Sequence, residues 1–151
     1  MISRKGKYAI RAMLFLAREH GKGSVNVERI ATSEGIPRKF LESIMLDLKV
    51  AGVLRSARGK FGGFTLQKPP SQVTIGSIIR AVEGSIAPVS CVSTIAYAPC
   101  ADCPSEALCP IRLVMLDVYA SISRVVDLKT LDVLLRESDA LVPGVTIDYT
   151  I

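Results

Sequence analysis

Residues 30–66 read IATSEGIPRKFLESIMLDLKVAGVLRSARGKFGGFTL, and this stretch decides the fold. Asn26 can cap a helix that runs to about Ser33, with Ile30 and Ala31 facing inward. Glu34-Gly35-Ile36 forms a tight turn, and Pro37 opens the next helix at its favoured first position. That helix extends to about Ala51 and is expected to bury Phe40, Leu41, Ile44, Met45 and Leu48, with Gly52 as its C-terminal cap. Two helices joined by a short glycine-containing turn make a helix-turn-helix pattern. Val53 to Ser56 then reads as a strand, Gly59-Lys60-Phe61-Gly62-Gly63 as a turn, and Phe64-Thr65-Leu66 as the returning strand. A hairpin directly behind a recognition helix is a wing. Its tip carries Arg58 and Lys60 among glycines that let backbone approach a groove closely.

The flanks extend the same architecture. Lys7–His20 has helical periodicity, with Ala9, Ile10, Met13, Leu14 and Ala17 on one stripe, and Gly21-Lys22-Gly23 ends it. After the linker Lys68-Pro69-Pro70-Ser71, Thr74 can cap a helix through Glu83 that turns Ile75, Ile78, Ile79 and Val82 inward. From Pro110 a long helix carries Ile111, Val114, Met115, Val118, Ile122, Val125 and Val126 along one side, a stripe suited to a partner helix. A shorter helix over about Thr130–Glu137 follows, and the signals are weak from Val142. The expectation is a mainly α fold with a small β-hairpin wing: a winged helix-turn-helix domain plus a long C-terminal dimerisation helix. Its organisation is a DNA-binding region over 1–70, a helix and cysteine-rich sensor loop over 71–110, and a dimerisation helix with a tail over 111–151.

Charge agrees with that division. Residues 1–70 hold fourteen Lys/Arg against five Asp/Glu, whereas residues 71–151 hold five against nine. The first half suits a polyanion and the second does not. The basic start of the chain lacks a signal-peptide core, and no apolar run is long enough to span a membrane, so a cytoplasmic protein is expected. Thiols stay reduced there. The four cysteines, Cys91, Cys100, Cys103 and Cys109, therefore read as ligands or sensors before they read as disulfides. Pro88, Pro99, Pro104 and Pro110 keep their segment from being one helix. A soft-ligand cluster on such a loop suits an iron–sulfur site, and the Cys100-x-x-Cys103 pair is also compatible with zinc or a redox dithiol. Four thiolates serve 2Fe–2S and 4Fe–4S centres equally.

Several motifs together resemble a known family. They are Lys7-Tyr8-Ala9-Ile10-Arg11-Ala12 in the first helix, Gly35-Ile36-Pro37 with Phe40-Leu41-Glu42 in the helix-turn-helix, and Ala51-Gly52-Val53-Leu54-Arg55-Ser56 with Gly62-Gly63-Phe64 in the wing. Val82-Glu83-Gly84 adds to them after the wing. These resemble the Rrf-two family of bacterial winged-helix regulators, of the IscR, NsrR and RirA type, over about residues 1–135. The resemblance implies a homodimeric transcription regulator, not an enzyme. It also implies an iron–sulfur cluster on a loop before the dimerisation helix. Cys91, Cys103 and Cys109 resemble the three family ligands. Cys100 is additional and is the economical fourth ligand, with Asp102 and Glu106 as weaker ones. Arg112 stands where the IscR type has a ligating histidine, and Gly6-Lys7-Tyr8 offers no carboxylate of the NsrR kind.

The expected partners are a double-stranded DNA operator and a second copy of the chain, joined through residues 111–126. Arg38 and Lys39 are placed to meet phosphate or guanine edges, and Glu42 and Ser43 occupy positions resembling base-reading residues of the IscR type. Arg58 and Lys60 would reach the minor groove or backbone, and Arg4, Lys5 and Lys7 would contact phosphates. Two other readings compete. One is a cluster-free regulator of the same fold, controlled by thiol redox or by a partner protein. The other is a thiol oxidoreductase using Cys100 and Cys103, which would want a strand–helix unit beside the pair.

Overall fold

The computed structural model describes residues 2–141; the weak tail from Val142 lies outside them. Helix α1 spans Arg4–Arg18 and starts a turn earlier than the apolar periodicity suggests. The cause is local: the Ser3 hydroxyl accepts from the Gly6 amide at 3.2 Å and supplies an N-terminal cap. Ala9, Ala12, Met13 and Leu16 of α1 are buried at the centre of the molecule. Helix α2, Val27–Glu34, is capped as expected by Asn26, whose side chain accepts from Arg29 N at 2.8 Å. Gly35 ends it in the left-handed conformation, φ 60°.

Helix α3 covers Arg38–Val50. Pro37 sits just before it in extended backbone, and its carbonyl accepts from Leu41 N at 3.0 Å. Leu41, Ile44, Met45 and Leu48 form its buried face. Phe40 departs from expectation: it is exposed, and its ring meets Tyr8 edge-on at 5.8 Å. The turn after α3 is closed by Val53 N donating to Leu48 O at 2.9 Å, around Gly52 at φ 72°. Strands β1, Leu54–Ala57, and β2, Gly63–Leu66, pair antiparallel with Leu54 opposite Leu66. Val25 adds one bridge to Phe64, so the hairpin is seated on the segment before α2.

Helix α4, Ile75–Glu83, is capped by Thr74 and packs on α1 through Ile75, Ile78, Ile79 and Val82. The cysteine segment follows with two short 3-10 turns, Ser90–Val92 and Glu106–Leu108. Helix α5, Pro110–Leu128, then runs across α4, tied to it by a two-pronged pair from Arg80 to Asp127 at 2.5 and 2.9 Å. Helix α6, Leu131–Asp139, returns to the core, with Leu131 fully buried and its amide bonded to Val73 O at 2.9 Å. Among the described residues six helices and one hairpin thus make the mainly α winged helix-turn-helix fold read from the sequence. Among the described residues no helix is long and apolar enough to cross a membrane.

One helix is anomalous. All 19 residues of α5 escape full burial, although apolar side chains dominate it. Ile111, Val114, Ile122 and Val125 of the expected stripe are exposed, while Met115, Val118 and Val126 are half-buried. A surface helix of this composition normally has a covered face.

Candidate nucleic-acid interface and cysteine site

The helix-turn-helix presents α3 outward because its other face is anchored in the core. Lys39, Glu42, Ser43, Leu46 and Val50 recur at three- and four-residue spacing, so they share one face, and all five are exposed. Arg38 is also exposed but engaged. Its Nη1 lies 2.9 Å from Glu28 and its Nε 2.9 Å from Glu42. The Arg38–Glu42 pair was readable as an i,i+4 spacing, whereas Glu28 comes from α2. Lys5 likewise pairs with Asp47 of α3 at 2.6 Å. Among the described residues no ion pair holds Arg4, Lys7, Lys39, Arg58 or Lys60. Those cations are available to an external anion.

The wing stands beside this face. Its tip is closed by Gly62 N donating to Gly59 O at 2.9 Å, and the Ser24 hydroxyl donates to Phe61 O at 2.5 Å. A Cβ on Gly63 would lie 2.2 Å from the Val25 carbonyl, so only glycine allows the wing to seat there. Between α3 and the wing runs an open groove of about 710 Å3 lined by Lys49, Arg55 and Arg58, with no carboxylate among its lining residues. Lys49 and Arg55 were not singled out in the sequence. The readable signal was two cations bracketing Gly52, the point where helix turns into wing. Such a groove suits a phosphate backbone.

The cysteine segment carries all four thiols. Cys91 is buried and the other three are half-buried, all as free thiols. The neighbouring Cys91 thiol, together with burial, raises the pKa of Cys100. Burial and the neighbouring Cys109 thiol raise that of Cys103. Cys109 moves the other way. It stands immediately before α5, and the amide of Arg112 faces its sulfur and favours the thiolate without completing a capping hydrogen bond. Cys103 N donates to Cys100 O at 3.4 Å, so one turn links these two cysteines.

The donor set, four thiols on one segment, fits an iron–sulfur cluster. Among the described residues no three Cys, His, Asp or Glu side chains converge on a metal position. Arg112, at the IscR-type histidine position, acts as a brace. Its Nε donates to Cys91 O at 3.4 Å and lies 3.9 Å from Glu106, which also accepts from the Tyr97 hydroxyl at 2.9 Å. Thr94 and Tyr119 share a further bond of 2.9 Å. The loop is therefore tied to α5 at Cys109, Arg112 and Tyr119.

A family model described as an iron-dependent transcriptional regulator, Rrf2, matches residues 2–137. The chain belongs to the Rrf2 family. An rrf2-like HTH-type transcriptional regulator of Rhodobacter capsulatus is 46% identical over 135 residues, covering 87% of this chain and 90% of its own. Among solved structures, CymR, the global cysteine regulator of B. subtilis, superposes with a TM-score of 0.74 at 31% identity, over 91% of this chain and 97% of that one. IscR of T. potens superposes with a TM-score of 0.73 at 29% identity, over 95% and 93%. As an Rrf2 protein the chain is a DNA-binding transcription regulator and not an enzyme. Rrf2 membership accounts for the winged helix and leaves the oxidoreductase reading without support.

Proposed function

We propose that this Rrf2 regulator is a homodimer whose affinity for a DNA operator is set by an iron–sulfur cluster held by Cys91, Cys100, Cys103 and Cys109. The observation that carries the reading is the junction at Cys109: the thiol segment ends on the residue from which α5 starts, and α5 has no buried residue among the described ones. When bound, the cluster would supply a cross-link among the four thiolates that depends on iron and on oxidants. The chain's own residues do the rest. Arg112 and Tyr119 hold the segment to α5, so the position of the segment bears on the start of that helix. In a dimer joined through residues 111–126, the start of α5 sets the separation of the two α3 helices and so their fit to paired half-sites.

On DNA, α3 enters the major groove with Lys39, Glu42 and Ser43 toward the bases, while Arg38 exchanges its carboxylate partners for phosphate or guanine. Arg58 and Lys60 reach the minor groove from the wing. Arg4, Lys5 and Lys7 flank them on phosphates, Lys5 after leaving Asp47. Arg58→Ala is expected to weaken operator binding and to lower the slope of log affinity against log salt by about 0.9, the value of one phosphate contact. A salt titration by fluorescence anisotropy reads both.

Anaerobic expression followed by visible absorption and iron and sulfide assay tests the cluster. A brown, iron-containing protein is expected, and a colourless one that takes up no cluster on reconstitution would sink the proposal. Cys100→Ala is expected to lower cluster retention, whereas full retention would remove Cys100 from the ligand set. One observation favours a second reading. CymR, which superposes on this chain, is described as a cysteine regulator. Cluster-free control, by thiol oxidation or a partner protein, would leave DNA affinity responsive to oxidant or partner in iron-free protein.

A further inference from the structure

Leu46 is the residue on α3 that hydrogen-bonding readout leaves unexplained. It is 57% exposed, and it lies on the same helix face as Glu42 and Ser43, opposite the buried Leu41, Ile44, Met45 and Leu48. More than half of its surface is open among the described residues. Val50, one turn further on, is 80% exposed and extends the apolar line. Lys39 and Lys49 are exposed on the same helix, and Lys49 lines the groove with Arg55 and Arg58. The nearby carboxylates are engaged, Glu42 with Arg38 and Asp47 with Lys5. An apolar surface framed by cations and continuous with a DNA-binding face suits a nucleic acid better than another protein surface.

We infer that Leu46 reads a thymine in the major groove by packing on its C5 methyl group. That methyl is the apolar feature that base edges offer there. One turn of α-helix advances about 5.4 Å and one base step about 3.4 Å. Leu46 therefore falls one to two base pairs beyond the base that Ser43 faces. The inference rests on the DNA-binding reading of α3 and adds a base identity to it.

The test uses duplexes selected by the full-length protein from a random library. Each thymine of the selected site is then replaced in turn by deoxyuridine, which removes only the methyl group. For the wild type, one thymine per half-site is expected to lose about fourfold in affinity on replacement, the value of burying one methyl group. Leu46→Ala is expected to bind the thymine duplex more weakly by a similar factor and to be indifferent to deoxyuridine at that position. A helical melting curve equal to the wild type confirms that the variant is folded. The inference is overturned if no thymine is sensitive, or if Leu46→Ala keeps the full sensitivity. If no duplex is enriched at all, the DNA-binding reading of α3 fails first and the thymine contact with it.

Discussion

Replacing both Val114 and Val125 by glutamate is expected to leave a monomer and to abolish tight operator binding. Both residues are exposed on the α5 stripe, so the folded chain tolerates the carboxylates at little cost. In a dimer joined through this stripe they become buried and unpaired, at about 3–5 kcal/mol each. Since about 1.4 kcal/mol is tenfold in an equilibrium constant, the dimer is lost at any practical concentration. Light scattering on a gel-filtration column should report the 16.3 kDa chain mass instead of twice that value. Affinity for a two-half-site duplex should fall by roughly a hundredfold or more, because each α3 must then bind alone. An intact dimer carrying both substitutions would show that α5 is covered by something other than a second copy.

The second large effect is on stability. Leu41→Ala is expected to lower the unfolding free energy by about 2–5 kcal/mol, the usual range for emptying a leucine site in a packed core. Leu41 is fully buried on the inner face of α3, in one cluster with Met13 of α1 and Ile78 of α4. The same truncation at the exposed Leu46 should cost almost nothing in stability, because no core contact is lost. Urea denaturation of the two variants compares them directly. A mild Leu41→Ala effect would mean that α3 is not anchored as described, and the outward presentation of Lys39, Glu42 and Ser43 would lose its basis.

The winged helix was legible because its punctuation is local. Asn26, Gly35 and Gly52 act on their immediate neighbours, and each sits where cap chemistry placed it. The start of α1 was less legible, since Ser3 caps a first turn of charged residues that carries no apolar signal. Phe40 follows the core spacing but sits at the edge of the apolar face, where Tyr8 meets it. Contacts between distant segments were out of reach for the same reason. Lys5 against Asp47, Glu28 against Arg38, and the groove cations Lys49 and Arg55 depend on how helices pack rather than on spacing. The cysteines divide likewise. Their place before α5 was readable, but the bracing of their loop by Arg112 on Cys91 O and by Tyr119 on Thr94 belongs to the folded chain.

We propose that the cysteine segment controls α3 through α5, and one titration tests this most directly. A selected operator duplex is titrated anaerobically with cluster-loaded protein and with the same preparation after cluster removal, while iron content and dimer mass are checked in both. The expected result is a difference in affinity of at least about fivefold, the low end of allosteric coupling between sites. Superimposable binding curves from verified loaded and cluster-free dimers would contradict it.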